Sequence, residues 1–175
     1  NHTYSHPYFF KTPLEKFEQE VLQGEPVTKE LLGEKGQKIR YFRHPFLSTG
    51  PDAKTKAAFE TFLSEHGYTV APVTLDNSDW LFAAVYQYAS ERGDHEAMQK
   101  VVDAYVPYIE QVCEFYEKLS QDTVGYEVRQ ILLLHANALN ANHLDKVLAV
   151  FKRRGYKFIP LQEALQDKAY SLPDT

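Results

Sequence analysis

Gln130-Ile131-Leu132-Leu133-Leu134-His135 is an apolar run that closes on a histidine. Four consecutive apolar side chains with no polar alternation predict a strand buried on both faces, as strands of a parallel sheet are. Working outward from it, the flanks read as helices. Downstream, Asn142 is placed to cap a helix carrying Leu144, Val147, Leu148 and Phe151, with Gly155 as its stop. A last strand at Tyr156 to Ile159 and a short helix at Leu161 to Leu165 follow. Upstream, Asp94 is placed to cap a long helix running to about Ser120. Its apolar stripe includes Val101, Tyr105, Ile109 and Val112, and Pro107 inside it should kink or divide it.

Further toward the amino end the alternation continues. Residues 78–92 read as a helix broken at Gly93-Asp94, and Tyr68 to Leu75 as a strand. Asp52 is placed to cap a helix that stops at Gly67, behind a short strand at Ile39 to Phe42. Residues 28–35 form a short helix. Thr12-Pro13-Leu14-Glu15 reads as a capping box with Pro at the first helical position, and Gly24 as the matching stop. Strand-helix order of this kind favours a parallel sheet with crossover helices, the α/β class. No repeat or linker interrupts it, so residues 1–175 read as a single domain. A closed parallel barrel uses eight strands and roughly 250 residues. With four strands legible, the fold is expected to be the later part of a parallel (β/α) barrel.

The composition bounds the function. The chain holds 175 residues, 43% of them hydrophobic, which suffices for one packed domain. Its 19 basic and 24 acidic residues give a net charge of −5, and the pI of 5.8 carries no basic footprint, so no nucleic-acid partner is expected. The longest apolar run, Trp80 to Tyr86, falls well short of the ~20 residues of a membrane span. Cys113 is the one cysteine, which excludes an internal disulfide framework.

Functional residues of parallel β/α folds collect at the carboxyl ends of the strands. Three polar clusters fall there: Arg43-His44-Pro45-Phe46, Asp76-Asn77-Ser78-Asp79-Trp80, and His135. A fourth, His2-Thr3-Tyr4-Ser5-His6, spaces two histidines by four. On a helical turn that spacing turns both imidazoles to one face, where they can reach one divalent ion. Zinc suits imidazole better than magnesium or calcium does. Two histidines are one ligand fewer than a catalytic zinc site takes.

Together the four clusters resemble the polysaccharide deacetylases of the NodB-homology type, a family of carbohydrate esterases. That family carries, in order, Thr-Phe-Asp-Asp, His-Ser/Thr-x-x-x-His, Arg-x-Pro-Tyr, Asp-x-x-Asp-Trp and Leu-hydrophobic-His. Four of the five stand in order here, ending in Leu133-Leu134-His135. The resemblance implies a deformed barrel of the polysaccharide-deacetylase type and removal of acetyl groups from N- or O-acetylated carbohydrate. It implies that His2 and His6 bind the metal, Zn²⁺, and that Arg43 orients the catalytic base. The backbone N–H of Phe46 would hold the oxyanion, and Asp79 would orient His135, the general acid. Trp80 and Leu133 would line the pocket for the acetyl methyl group. An extracytoplasmic location is also implied.

The departures carry expectations of their own. The Thr-Phe-Asp-Asp motif, which supplies the family's base and third metal ligand, is not in this sequence and would lie upstream of Asn1. The chain is therefore expected to need that amino-terminal segment as a partner and not to be a competent deacetylase alone. Phe46 stands where Tyr is usual and Leu47 where Gly often follows. Residues 85–125 read as a helical insertion that caps the barrel or forms an interface, as in a homo-oligomer. Two other readings stand beside the enzyme: a non-catalytic carbohydrate-binding domain on the same fold, and a hydrolase of non-sugar C–N bonds. His66, His95 and His143 are expected at the surface and Cys113 in the core, and His44 borders the site without an assigned role.

Overall fold

The computed structural model describes residues 1–172, and the chain divides into two compact units, Asn1–Pro72 and Val73–Thr175. Three helices and two strands make up the first: α1 (Leu14–Gln23), α2 (Pro26–Gly33), β1 (Tyr41–Phe42), α3 (Ala53–Glu65) and β2 (Thr69–Val70). β1 and β2 pair in parallel, with Tyr41 beside Thr69 and Phe42 beside Val70. On the other side of β1, the Asn1 amino nitrogen donates to Tyr41 O (2.6 Å) and Arg43 N–H donates to Asn1 O (3.0 Å). That slanted pair is the parallel ladder pattern, so the residue before His2 is anchored along β1.

The core of this unit is aromatic. Phe9, Phe17, Phe42 and Phe59 are fully buried. Phe9 stacks on Phe17 with centroids 4.0 Å apart, and Phe59 meets Phe9, Phe17 and Phe42 edge-on. Such pairs contribute about 0.5–1.5 kcal/mol each beyond their area burial.

The second unit holds β3 (Leu75–Asp76), α4 (Asp79–Glu91), α5 (His95–Val124), β4 (Leu132–Leu133), α6 (Ala138–Arg153) and α7 (Leu161–Ala164). β3 and β4 pair in parallel, Leu75 beside Leu132 and Asp76 beside Leu133. α4, α5 and α6 pack on one another around Tyr105, Ile109, Leu139, Val147 and Val150, all fully buried. Among the described residues no helix is long and apolar enough to cross a membrane.

Several local expectations are met by short-range chemistry. Asp52 caps α3 by accepting from Thr55 N–H (2.7 Å), and Asp94 caps α5 by accepting from Ala97 N–H (2.9 Å). Gly67, at φ +76°, supplies the left-handed exit from α3.

Others are corrected. Thr12 does not cap α1, because its hydroxyl donates back to Tyr8 O (2.9 Å) and Pro13 takes the cap position without a side-chain bond. The expected strand at Tyr68 to Leu75 is two strands with different partners, separated by Pro72, which has no N–H to give a ladder. α5 is not divided at Pro107: it remains one helix, held on both sides of the proline by buried Tyr105 and Ile109. β4 is not buried on both faces, since Leu132 and Leu133 are each half-exposed.

The cap of α6 is Asn137, accepting from Asn140 N–H (2.8 Å), and not Asn142. The backbone does break nearby, at His143 (φ −134°), where Asn142 donates to Tyr86 Oη (3.1 Å). Tyr156 to Ile159 form no strand. Tyr156 N–H closes the end of α6 on Phe151 O (3.0 Å), and its hydroxyl donates to Glu127 (2.8 Å).

Candidate functional site

The two histidines of the first unit are brought together, but not by a helix. Residues 2–6 are irregular, with Thr3 and His6 in left-handed backbone (φ +66° and +56°). That conformation costs a non-glycine residue about 1–2 kcal/mol, so the loop needs outside support. Asn1 supplies much of it. Its side chain accepts from Thr3 N–H (2.9 Å) and donates to Val21 O and Tyr68 Oη (2.9 Å each). Glu20 of α1 accepts from both the N–H and the hydroxyl of Ser5 (2.7 and 2.9 Å).

Gly24 closes the arrangement from the end of α1. It is the C-cap at which α1 stops, as read from the sequence, but its φ of −76° is ordinary helical backbone that any residue could adopt. A β-carbon there would stand 2.9 Å from Thr3 C and 3.0 Å from Thr3 O. Glycine is needed for close approach, not for conformation.

Within this loop the Nε2 atoms of His2 and His6 lie 3.1 Å apart. Two nitrogens each about 2.0–2.1 Å from a tetrahedral zinc ion are about 3.3 Å apart, so the spacing suits a shared ion. The tautomer suits it too. His2 Nδ1 lies 2.7 Å from Arg43 O, a carbonyl can only accept, and the ring proton therefore sits on Nδ1 and leaves the Nε2 lone pair facing His6 Nε2, able to accept its proton or to bind a metal. Partial burial of the ring, with smaller effects from His6 and Arg43, holds the His2 pKa below its ordinary value despite the pull of that carbonyl. Neutral imidazole is the form that binds a metal. Among the described residues no group of three or more His, Cys, Asp or Glu side chains forms a ligand set. His2 and His6 thus offer two ligands.

Arg43 and Phe46 flank the pair. The Arg43 guanidinium is half-buried, and burial lowers its pKa. Its Nε donates a long hydrogen bond to Ala71 O (3.4 Å), and among the described residues it makes no ion pair. Phe46 and Leu47 are consecutive left-handed residues (φ +55° and +53°), a strained turn of the kind that clusters at functional sites. The exposed Phe46 ring sits edge-on to His6 at 4.5 Å. His44, between them, is 6% exposed and enclosed by Phe9, Phe42 and Phe59, with neither ring nitrogen hydrogen-bonded.

In the second unit Asp79 and His135 are joined. The parallel register sets Asp76 beside Leu133, so the residues just beyond, at the start of α4 and after β4, emerge at one end of the strand pair. Ser78, left-handed at φ +52°, turns the chain into α4. Two short turns precede the helix, Ser78 N–H on Asp76 Oδ1 and Asp79 N–H on Asn77 Oδ1 (3.0 Å each).

Asp79 is fully buried, and everything around it donates. Its Oδ1 accepts from His135 Nδ1 (2.7 Å). Its Oδ2 accepts from His135 N–H (2.9 Å), Asn137 Nδ2 (3.1 Å) and Asn140 Nδ2 (2.5 Å). An unpartnered carboxylate would cost several kcal/mol at such depth, and four donors offset that. His135 is 43% exposed at its side chain, so the ring is held from behind and open in front. A depression of about 540 Å³ lies beside it, lined by Leu134, Ala136, Ala138, Ala141 and Leu144.

Trp80 is 56% exposed in the first turn of α4 and Leu133 is half-buried in β4. Neither lines that depression. His66 and His95 are at the surface, His143 is half-buried against Tyr86, and Cys113 is buried.

Asn137, Asn140, Tyr105, Asn1 and Glu20 were not singled out from the sequence. An Asn-x-x-Asn spacing just after His135 was the one available signal. Comparison with family models, with curated proteins and with solved structures finds no match to this chain.

Proposed function

We propose that this chain is part of a metal-dependent deacetylase of the NodB-homology type, acting on acetylated carbohydrate. The observation that carries the reading is the paired histidines. Their Nε2 atoms converge at 3.1 Å while the Arg43 carbonyl fixes the His2 tautomer for ligation. Within each unit the strands pair in parallel, and the barrel belongs to the same reading as a proposal.

His2 and His6 would supply two ligands to a divalent ion, which would lend Lewis acidity toward the acyl carbonyl. Arg43, charged and without a carboxylate among the described residues, receives that of the base. The resemblance puts the base in a segment this sequence does not contain. The Phe46 N–H stabilises the oxyanion, Trp80 and Leu133 bound the acetyl methyl group, and His135 protonates the leaving amine while Asp79 holds its Nδ1–H.

The test is acetate release from an N-acetylated oligosaccharide by the protein carrying the segment upstream of Asn1, with added Zn²⁺, beside metal analysis. A His2→Ala/His6→Ala double variant should lose both metal and turnover. His135→Gln should lose about 10²–10⁴-fold in turnover and keep the metal. Equal metal content in the double variant and the parent would overturn the reading.

A further inference from the structure

The acid pair continues inward into a closed ring of buried polar groups that the proposed chemistry does not yet use. Asn140, 5% exposed, spends both amide hydrogens on the pair, donating to Asp79 Oδ2 (2.5 Å) and to His135 O (2.9 Å). Its Oδ1 accepts from Tyr105 Oη (3.0 Å). Tyr105, fully buried on α5, accepts in turn from Asn77 Nδ2 (3.4 Å), and Asn77 Oδ1 accepts from Asp79 N–H (3.0 Å). The ring therefore runs Asp79, Asn77, Tyr105, Asn140 and back to Asp79.

Its directions are forced. Asp79 and the His135 carbonyl can only accept, so both bonds must come from the Asn140 NH₂. The Tyr105 hydroxyl has one proton, and the Asn140 oxygen is where it goes. Tyr105 thus holds the Asn140 amide in the orientation that Asp79 and the His135 carbonyl require. Asn140 then clamps His135 at two points, through its carbonyl and through Asp79.

We propose that Asn140, oriented by Tyr105, is a positioning residue that holds Asp79 and the His135 imidazole in the geometry for proton donation. This rests on the deacetylase reading. It also gives the helices between the fourth and fifth motifs a place in the site: α5 supplies the Tyr105 hydroxyl, which is the rear anchor of the acid. Satisfied polar rings of this kind fix one arrangement of a core, whereas partly satisfied ones cost stability.

Steady-state kinetics on an acetylated oligosaccharide with Zn²⁺, and the ¹⁵N-resolved Nδ1–H signal of His135, test the proposal in the parent, Asn140→Leu and Tyr105→Phe, each carrying the segment upstream of Asn1. The expected result is a fall in kcat of about 10–100-fold for Asn140→Leu, the usual cost of losing the group that orients a functional side chain. Tyr105→Phe should show a smaller fall. KM and metal content should stay within about twofold, and the Nδ1–H signal should weaken or move in both.

Tyr105→Phe removes one oxygen and keeps the ring, so it remains informative if Asn140→Leu does not fold. Folded Tyr105→Phe with parental kcat and an unmoved Nδ1–H signal would overturn the proposal. Inactivity of a parent that carries the upstream Asp-Asp segment would overturn the deacetylase reading instead. The His135 signal would still decide whether Asn140 and Tyr105 position the imidazole.

Discussion

Lowering the pH should unfold this protein partly through His44. The ring is 6% exposed among Phe9, Phe42 and Phe59, and neither nitrogen has a hydrogen-bond partner. The Ser48 backbone lies near it but outside hydrogen-bonding geometry, so burial dominates and pushes the pKa down to about 4. An imidazole in the unfolded chain titrates near its ordinary value of 6.5. Between those values the unfolded state binds a proton that the folded state refuses, so stability is present in full above about 6.5 and falls as pH drops toward about 4. The total is about 3 kcal/mol, of which about 2 kcal/mol is lost by pH 5.

His44→Phe isolates the effect, because it keeps an aromatic ring of similar shape and removes both unpaired nitrogens. At pH 7.5 the variant should be as stable as the parent or more so, by about 1 kcal/mol. At pH 5 its advantage should grow by about 2 kcal/mol. Urea titrations followed by circular dichroism at both pH values read the difference directly. Equal loss of stability in parent and variant between pH 7.5 and pH 5 would refute the argument.

Gly24→Ala should weaken zinc binding about tenfold, since the added carbon meets the Thr3 backbone at 2.9 Å and overpacking costs about 1–3 kcal/mol. Competition with a chromophoric chelator measures it, and unchanged affinity in a folded variant would count against the close-approach role. Asp94→Ala removes the cap bond to Ala97 and should cost about 1 kcal/mol, visible as a lowered Tm. Cys113 is buried, which pushes its thiol up to about 11. It should resist a disulfide reagent at pH 8 in the native protein and react at once in denaturant, and prompt native reaction would show that it is accessible.

What the sequence revealed follows the range of the forces involved. Asp52, Asp94 and Gly67 act within a few residues, so their caps and turns were legible from local spacing. The clusters holding Asp79 and His135 were found because each follows a strand, and their pairing came from the family resemblance. Gly24 was read as the stop of α1, which it is, but its close approach to Thr3 went unread, because that is a tertiary fact that helix-stop statistics cannot contain. Asn140 passed unnoticed because an asparagine inside a helix reads only as a poor helix former. Its partners come from α4 and α5. The split at Pro72 was legible in principle, since the missing N–H is written in the residue itself. The histidine loop was read with the right pairing and the wrong backbone. Spacing alone does not disclose Thr3 and His6 in left-handed conformation.

The bonds around Asp79 are long in chain terms. His135 lies 56 residues away, Asn140 lies 61, and Tyr105 joins Asn140 across 35. Closing such loops early is entropically unfavourable, whereas α4, α5 and α6 can each begin to form from neighbours in the chain. The acid site should therefore be among the last parts of the second unit to appear during folding, after the three helices have docked. A refolding experiment that follows the His135 Nδ1–H signal would then time the completion of the unit rather than its collapse. Any helical intermediate would be compact before the bonds around Asp79 were assembled.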